Sequence, residues 1–137
     1  MVNFADVQDA FFFVSSAAYG LHTAILARDT GEMHWRSEQG DLDEIGDKDL
    51  PSDRYLEIPH RNDLGLGQEL VFEFVTEHLP DEIGQVNRMF GRRGAYAAFK
   101  YLLDHKGLLQ RWYDFEHEHE ERALRQWCVD NGLQLSG

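Results

Sequence analysis

Along the first fourteen residues the apolar positions Val7, Ala10, Phe11 and Val14 recur at helical spacing behind Asn3, a suitable N-cap, and predict a helix over 4–14. After "SSAAYG" the period changes. Two β-prone runs in "LHTAILARDTGEMHWRSE" flank Asp29-Thr30-Gly31-Glu32, where Gly31 supplies the positive φ of a short loop, so a hairpin is expected with strands 21–28 and 32–37. "RYLEIP" alternates Tyr55 and Glu57 against Leu56 and Ile58, a third short strand ended by Pro59.

From residue 64 onward the pattern is helical. Gly67, Leu70, Val71, Phe74 and His78 share one face behind Asp63, the expected N-cap. Pro80 suits the first position of the next helix, whose dipole favours Asp81 and Glu82 and whose stripe is Ile83, Val86 and Phe90. In "FGRRGAYAAFKYLL" the large residues Tyr96, Phe99 and Leu103 lie nearly opposite the continuation of that stripe. The chain either turns at Gly91–Gly94 or stays helical with a small-residue stripe of Gly94, Ala97 and Ala98. Two glycines cost a helix about 2 kcal/mol, which favours the turn. Gly107 ends this element, and 108–130 form the last helix, closed by Asn131-Gly132. The expected class is α+β in a single domain over 1–137: an N-terminal helix and a small three-stranded antiparallel sheet in 1–59, then a helical half of three to four helices in 60–137.

Composition adds limits to this picture. A chain of 137 residues with 42% hydrophobic and 12% aromatic side chains can bury an ordinary core without staples. The lone Cys128 forms no internal disulfide, and the first twenty residues lack the basic and long apolar segments of a signal peptide, so a cytoplasmic location is expected. No stretch approaches the ~20 apolar residues of a membrane span. With 25 acidic against 13 basic side chains the formal charge is −12, which repels nucleic acid and anionic membranes unless positive charge clusters locally. Residues 38–53 hold seven acids and one lysine and read as an exposed acidic loop.

The run Arg93-Gly94-Ala95-Tyr96, Phe99-Lys100, Gly107-Leu108-Leu109, Trp112-Tyr113, Phe115 and Trp127, together with "DTGEMHWRSE" and "YLEIPHRNDL", resembles the small acidic bacterial proteins of Uncharacterised Protein Family 0158. The resemblance covers nearly the whole chain. It carries no catalytic residue and no cofactor with it, and it does not depend on His117 or His119.

Chemistry is sought first in "DFEHEHEERAL", residues 114–124. A zinc hydrolase of the H-E-x-x-H type needs a second histidine four residues after His117, where Glu121 stands instead. At 100° per residue from Leu108, Trp112 falls at about 40°, Phe115 at about 340°, His119 at about 20° and Glu116 at about 80°. His119 and Glu116 thus share the apolar stripe within hydrogen-bond reach of each other, while His117, Glu118 and Glu121 point elsewhere. A Glu116–His119 pair beside tryptophan can tune a general base. The commoner use of such a pair is a satisfied polar contact at a core edge, and no nucleophile motif accompanies it.

Other motifs are incomplete. Asp41, Asp43 and Gly46 match positions 1, 3 and 6 of a calcium loop, but Ile45 and Ser52 replace required oxygen ligands. "GLGQEL" lacks the third glycine of a dinucleotide fingerprint. No metal and no cofactor are expected. "GRRG" at 91–94, with Arg88 and Lys100 nearby, is the best basic feature, although ion pairs with the chain's own acids are its default use.

Three functions are expected in order. The first is a non-enzymatic interaction module, with an unknown protein partner or self-association as a homodimer, presenting Trp35, Trp112 or Tyr113 at a partner surface. The second is nucleic-acid or anionic-ligand binding through Arg88, Arg92, Arg93 and Lys100. The third is an enzyme using Glu116 and His119.

Overall fold

The computed structural model describes residues 1–38, 42–45, 51 and 53–136. Most of the acidic segment 38–53, including the calcium-loop positions Asp41, Gly46 and Ser52, lies outside the described residues. The fold is α+β, and the chain forms two compact units, Met1–Leu64 with Glu121–Gly137, and Gly65–Glu120.

In the first unit, helix α1 (Phe4–Ser15) starts where Asn3 Oδ1 accepts the Ala5 N–H at 2.9 Å, which satisfies a donor that the first turn leaves unpaired. It buries Phe4, Val7, Ala10, Phe11 and Val14. The expected hairpin forms as antiparallel strands β1 (His22–Ala27) and β2 (Met33–Ser37), and β3 (Tyr55–Glu57) pairs with the other edge of β1, giving the order β2-β1-β3. Central β1 contributes the buried Ala24, Leu26 and Ala27. Beyond β2, the described residues 42–45 add backbone pairing, with Ser37 N–H donating to Leu42 O and Glu44 N–H to Trp35 O, and bury Ile45. The terminal segments meet through a parallel bridge between Val2 and Leu135.

In the second unit, α2 (Gln68–His78) begins after Gly67. Asp63 does not cap it: that residue sits in a single 3-10 turn, Arg61–Leu64, where its carboxylate accepts the His60 N–H at 3.0 Å. Pro80–Glu82 forms another 3-10 turn leading into α3 (Ile83–Met89), and α4 spans Ala95–His105. The chain breaks at Gly91–Gly94 as expected. Gly94 carries φ 72°, which permits the turn into α4 that a helix through 89–95 would forbid. Nothing lies within 4 Å of a Cβ built on Gly94, so Gly94→Ala is expected to cost only its backbone strain, about 1 kcal/mol, in urea denaturation, with Gly94→Asn costing less.

Helix α5 (Leu109–Asp130) contributes Leu109–Glu120 to the second unit and Glu121–Asp130 to the first. Trp112, Glu120, Leu124 and Cys128 are its buried positions, an i, i+4 row that lies along a ridge inclined to the axis rather than along a straight stripe. Trp127, outside that row, is half-buried. Asn131 and Gly132 close the helix with paired bonds, Gly132 N–H to Val129 O at 3.0 Å and Leu133 N–H to Cys128 O at 2.9 Å.

Candidate functional site

Phe90 fixes the basic turn. Its N–H donates to Val86 O at 3.1 Å, and its ring packs edge-on against Phe72, Tyr96 and Phe99, with centroids 6.0, 5.0 and 6.0 Å away. With that hub in place, Gln85, Arg88, Met89 and Arg92 fall at i, i+3, i+4 and i+7. These residues, with Arg93 from the turn and Ala95 and Ala98 from α4, line a groove of about 280 Å³. Arg88, Arg92 and Arg93 are exposed, and among the described residues none of the three forms an ion pair or side-chain hydrogen bond. The default use of these arginines, pairing with the chain's own acids, is thus not taken up among the described residues, although the protein holds nearly twice as many acids as bases.

Lys100 does not join them. Its Nζ lies 5.6 Å from the centre of the Tyr113 ring, a cation–π contact away from the groove residues. Sequence spacing finds the arginines but misses Gln85, Met89, Ala95 and Ala98. The signal for the first two is the helical register of the arginines themselves, readable once α3 and its turn are recognised.

The aromatic candidates separate as well. Trp112 is 1% exposed, with Phe74 and Phe99 edge-on at 5.4 and 5.2 Å, which corrects the expectation of it at a partner surface: its size makes it the centre of the unit's core. Trp35 is half-buried with its ring edge-on to Phe13 at 5.2 Å, and Tyr113 remains 40% exposed.

His119 is half-buried and His117 exposed, as the helical angles predict. The His119 ring lies 4.1 Å from that of Phe115, and its Nδ1 is 2.9 Å from Phe115 O. A carbonyl only accepts, so Nδ1 carries a proton and Nε2 faces Glu73 Oε1 at 3.5 Å. With Nδ1–H committed to Phe115 O, Nε2 meets Glu73 as an ion pair only when the imidazole is protonated, and half-buried Glu116 has a partner of its own.

A family model, described as Uncharacterised protein family (UPF0158), matches residues 32–136. The chain belongs to that family. No curated protein and no solved structure matches it. The UPF0158 match contains the whole second unit and its groove, β2, β3 and the C-terminal part of α5; α1 and β1 precede it.

Two further cavities lie in the first unit of this UPF0158 chain. One, of about 110 Å³, is lined in part by Tyr19, His22, Glu57, His60 and Asp63. His60 is satisfied: Nε2–H donates to Ala17 O at 3.0 Å and Nδ1 accepts the Asn62 N–H at 3.1 Å. His22 Nδ1 lies 2.8 Å from Phe13 O and so carries a proton, which makes it a donor rather than a base toward Ser16 Oγ at 3.1 Å. Ser16 caps α1 through Phe13 O instead. The Tyr19 hydroxyl donates to the Asp63 carboxylate, and that bond, reinforced by the charges of Asp63 and Glu57, raises its pKa above 10.0. Because the pKa is raised, this contact stabilises the fold below pH 10.0, and the stabilisation is lost as pH climbs through the shifted value. Asp63→Asn is expected to bring Tyr19 back toward the ordinary value, read by ultraviolet or NMR titration.

The other cavity, about 260 Å³, is walled by Met1, Val2, Arg28, Gly132, Leu133 and Gln134, with Arg28 Nη1 donating to Asn131 O at 2.8 Å. Cys128 is fully buried and burial pushes its thiol upward, with Arg125 pulling the other way, so it is a protonated packing residue rather than a nucleophile. Among the described residues, no three His, Cys, Asp or Glu side chains are placed to hold a metal ion, and no helix is long and apolar enough to cross a membrane.

Proposed function

We propose that this UPF0158 chain is a non-enzymatic interaction module of the bacterial cytoplasm that recognises an anionic partner through the groove of Arg88, Arg92 and Arg93. The observation that carries the reading is that three arginines line one groove with no ion pair or side-chain hydrogen bond among the described residues, in a protein of net charge −12. A guanidinium presents a planar fork of donors that matches the oxygens of a carboxylate or phosphate. The geometry of the turn supports the reading: the Phe90 ring packs on Tyr96 and Phe99, and Gly94 at φ 72° lets α4 return alongside α3.

The reading joins two of the sequence expectations, an interaction module and a basic site, and drops Lys100, Trp35 and Trp112 from the binding surface. The enzyme reading through Glu116 and His119 has less support, because the contacts of His119 are with Phe115 O and Glu73. Fluorescence anisotropy with labelled poly-glutamate and a labelled oligonucleotide, at low and at moderate salt, tests the proposal. Saturable, salt-sensitive binding of at least one probe that disappears in Arg92→Glu/Arg93→Glu is expected; no binding by either probe at low salt contradicts it.

A further inference from the structure

The groove is not uniformly polar, and its floor narrows the class of partner. Besides the arginines it is lined by Met89, Ala95 and Ala98, an unbranched thioether side chain and two methyl groups. Met is adaptable and accepts aliphatic groups of varied shape, while the alanines leave room above them. Among the described residues no aromatic ring lines the groove, so nucleic-acid bases have no stacking platform there. A bare phosphate would pair with the arginines and leave the apolar floor in water. A long polyanion would run much further beyond the groove than a short segment, and within a Debye length of about 8–10 Å it would meet more of the repulsion of a surface carrying −12. The volume of about 280 Å³ lies at or below the small end of small-molecule sites, roughly 300–1,000 Å³, and suits a single side chain with its flanking groups.

We infer that the partner is an acidic peptide segment of another protein, seating one aliphatic side chain on the Met89–Ala95–Ala98 floor while flanking carboxylates pair with Arg88, Arg92 and Arg93. The inference rests on the reading above that the groove binds an anion. It adds the apolar anchor. Gln85, also lining the groove, offers an amide that can bond the peptide backbone, as an oriented segment requires.

Three labelled probes separate the outcomes by anisotropy: a peptide of three glutamates on either side of a central leucine, the same peptide with serine in place of leucine, and a short oligothymidylate. The leucine peptide is expected to bind at least about fivefold more tightly than the serine peptide, the size of a partly buried aliphatic side chain. Met89→Gln keeps every charge and is expected to erase that preference while leaving the serine peptide unchanged. Should Met89→Gln fold poorly by circular dichroism, Ala98→Gln, at an exposed position, makes the same test. Equal affinity of the two peptides overturns the inference but leaves anion binding standing. Tighter binding of the oligothymidylate overturns it in favour of nucleic acid, and binding of none of the three overturns both readings.

Discussion

Trp112→Ala is expected to lower the unfolding free energy by about 3–5 kcal/mol, the range for removing a large buried aromatic. Trp112 is 1% exposed, and it packs against Phe74, Phe99 and Phe115, so truncation opens a cavity whose walls are rings already locked by one another. Against a typical total of about 5–15 kcal/mol the loss is large. Trp112→Phe should cost much less. Its ring restores most of the packing, and it removes the indole N–H, which is buried without an acceptor among the described residues. Such an orphan donor costs about 1–3 kcal/mol, so its deletion offsets part of the lost volume. Urea denaturation of the two variants gives the difference. Amide exchange should localise it to 65–120, where these rings lie. Similar losses for both variants would mean that the indole nitrogen has a partner after all.

The second large effect concerns binding rather than folding. Arg92 and Arg93 are exposed and make no ion pair among the described residues, so Arg92→Glu/Arg93→Glu should leave stability within about 0.5 kcal/mol of the parent. Its effect on an acidic probe is another matter. Each reversal forfeits about 1 kcal/mol of attraction and introduces a comparable repulsion, so together they sum to roughly 3–4 kcal/mol, a loss of at least about 100-fold at low salt. Lys100→Glu serves as the contrast. Lys100 points its charge at Tyr113, so the same change of charge there should weaken binding far less. Comparable losses at Lys100 and at the arginine pair would indicate diffuse attraction to net charge rather than recognition in the groove.

Most of the fold is legible in the sequence because local signals agree with one another. Asn3 before a helical stripe, Gly31 between β-prone runs, and Gly91–Gly94 where the large residues change phase each name an element that forms. What local pattern misses is where tertiary contacts decide. Asp63 has the chemistry of an N-cap, yet its carboxylate is claimed by the His60 N–H and the Tyr19 hydroxyl, and α2 starts later at Gly67. A period of 3.6 identifies the apolar side of α5, but the buried row 112, 120, 124, 128 follows the i, i+4 ridge, which only neighbouring elements can select.

The candidate site divides in the same way. The arginines of the groove are visible as a basic cluster because their spacing is local. Lys100, only seven positions beyond Arg93, goes to Tyr113 because that ring comes from α5, a contact between helices. His119 gains Glu73 from α2 for the same reason. Sequence spacing proposes which groups can meet along one helix; it is silent on partners contributed by another.

Amide chemical-shift mapping of the intact protein, titrated with the leucine-centred acidic peptide, tests the central claim most directly. The account predicts saturable shifts concentrated in 85–98, strongest at Arg88, Arg92, Arg93 and the floor residues Met89, Ala95 and Ala98, and absent from the same titration of Arg92→Glu/Arg93→Glu. Shifts that centre on Tyr19, His22 and His60, or that spread evenly over the surface without saturating, would contradict it.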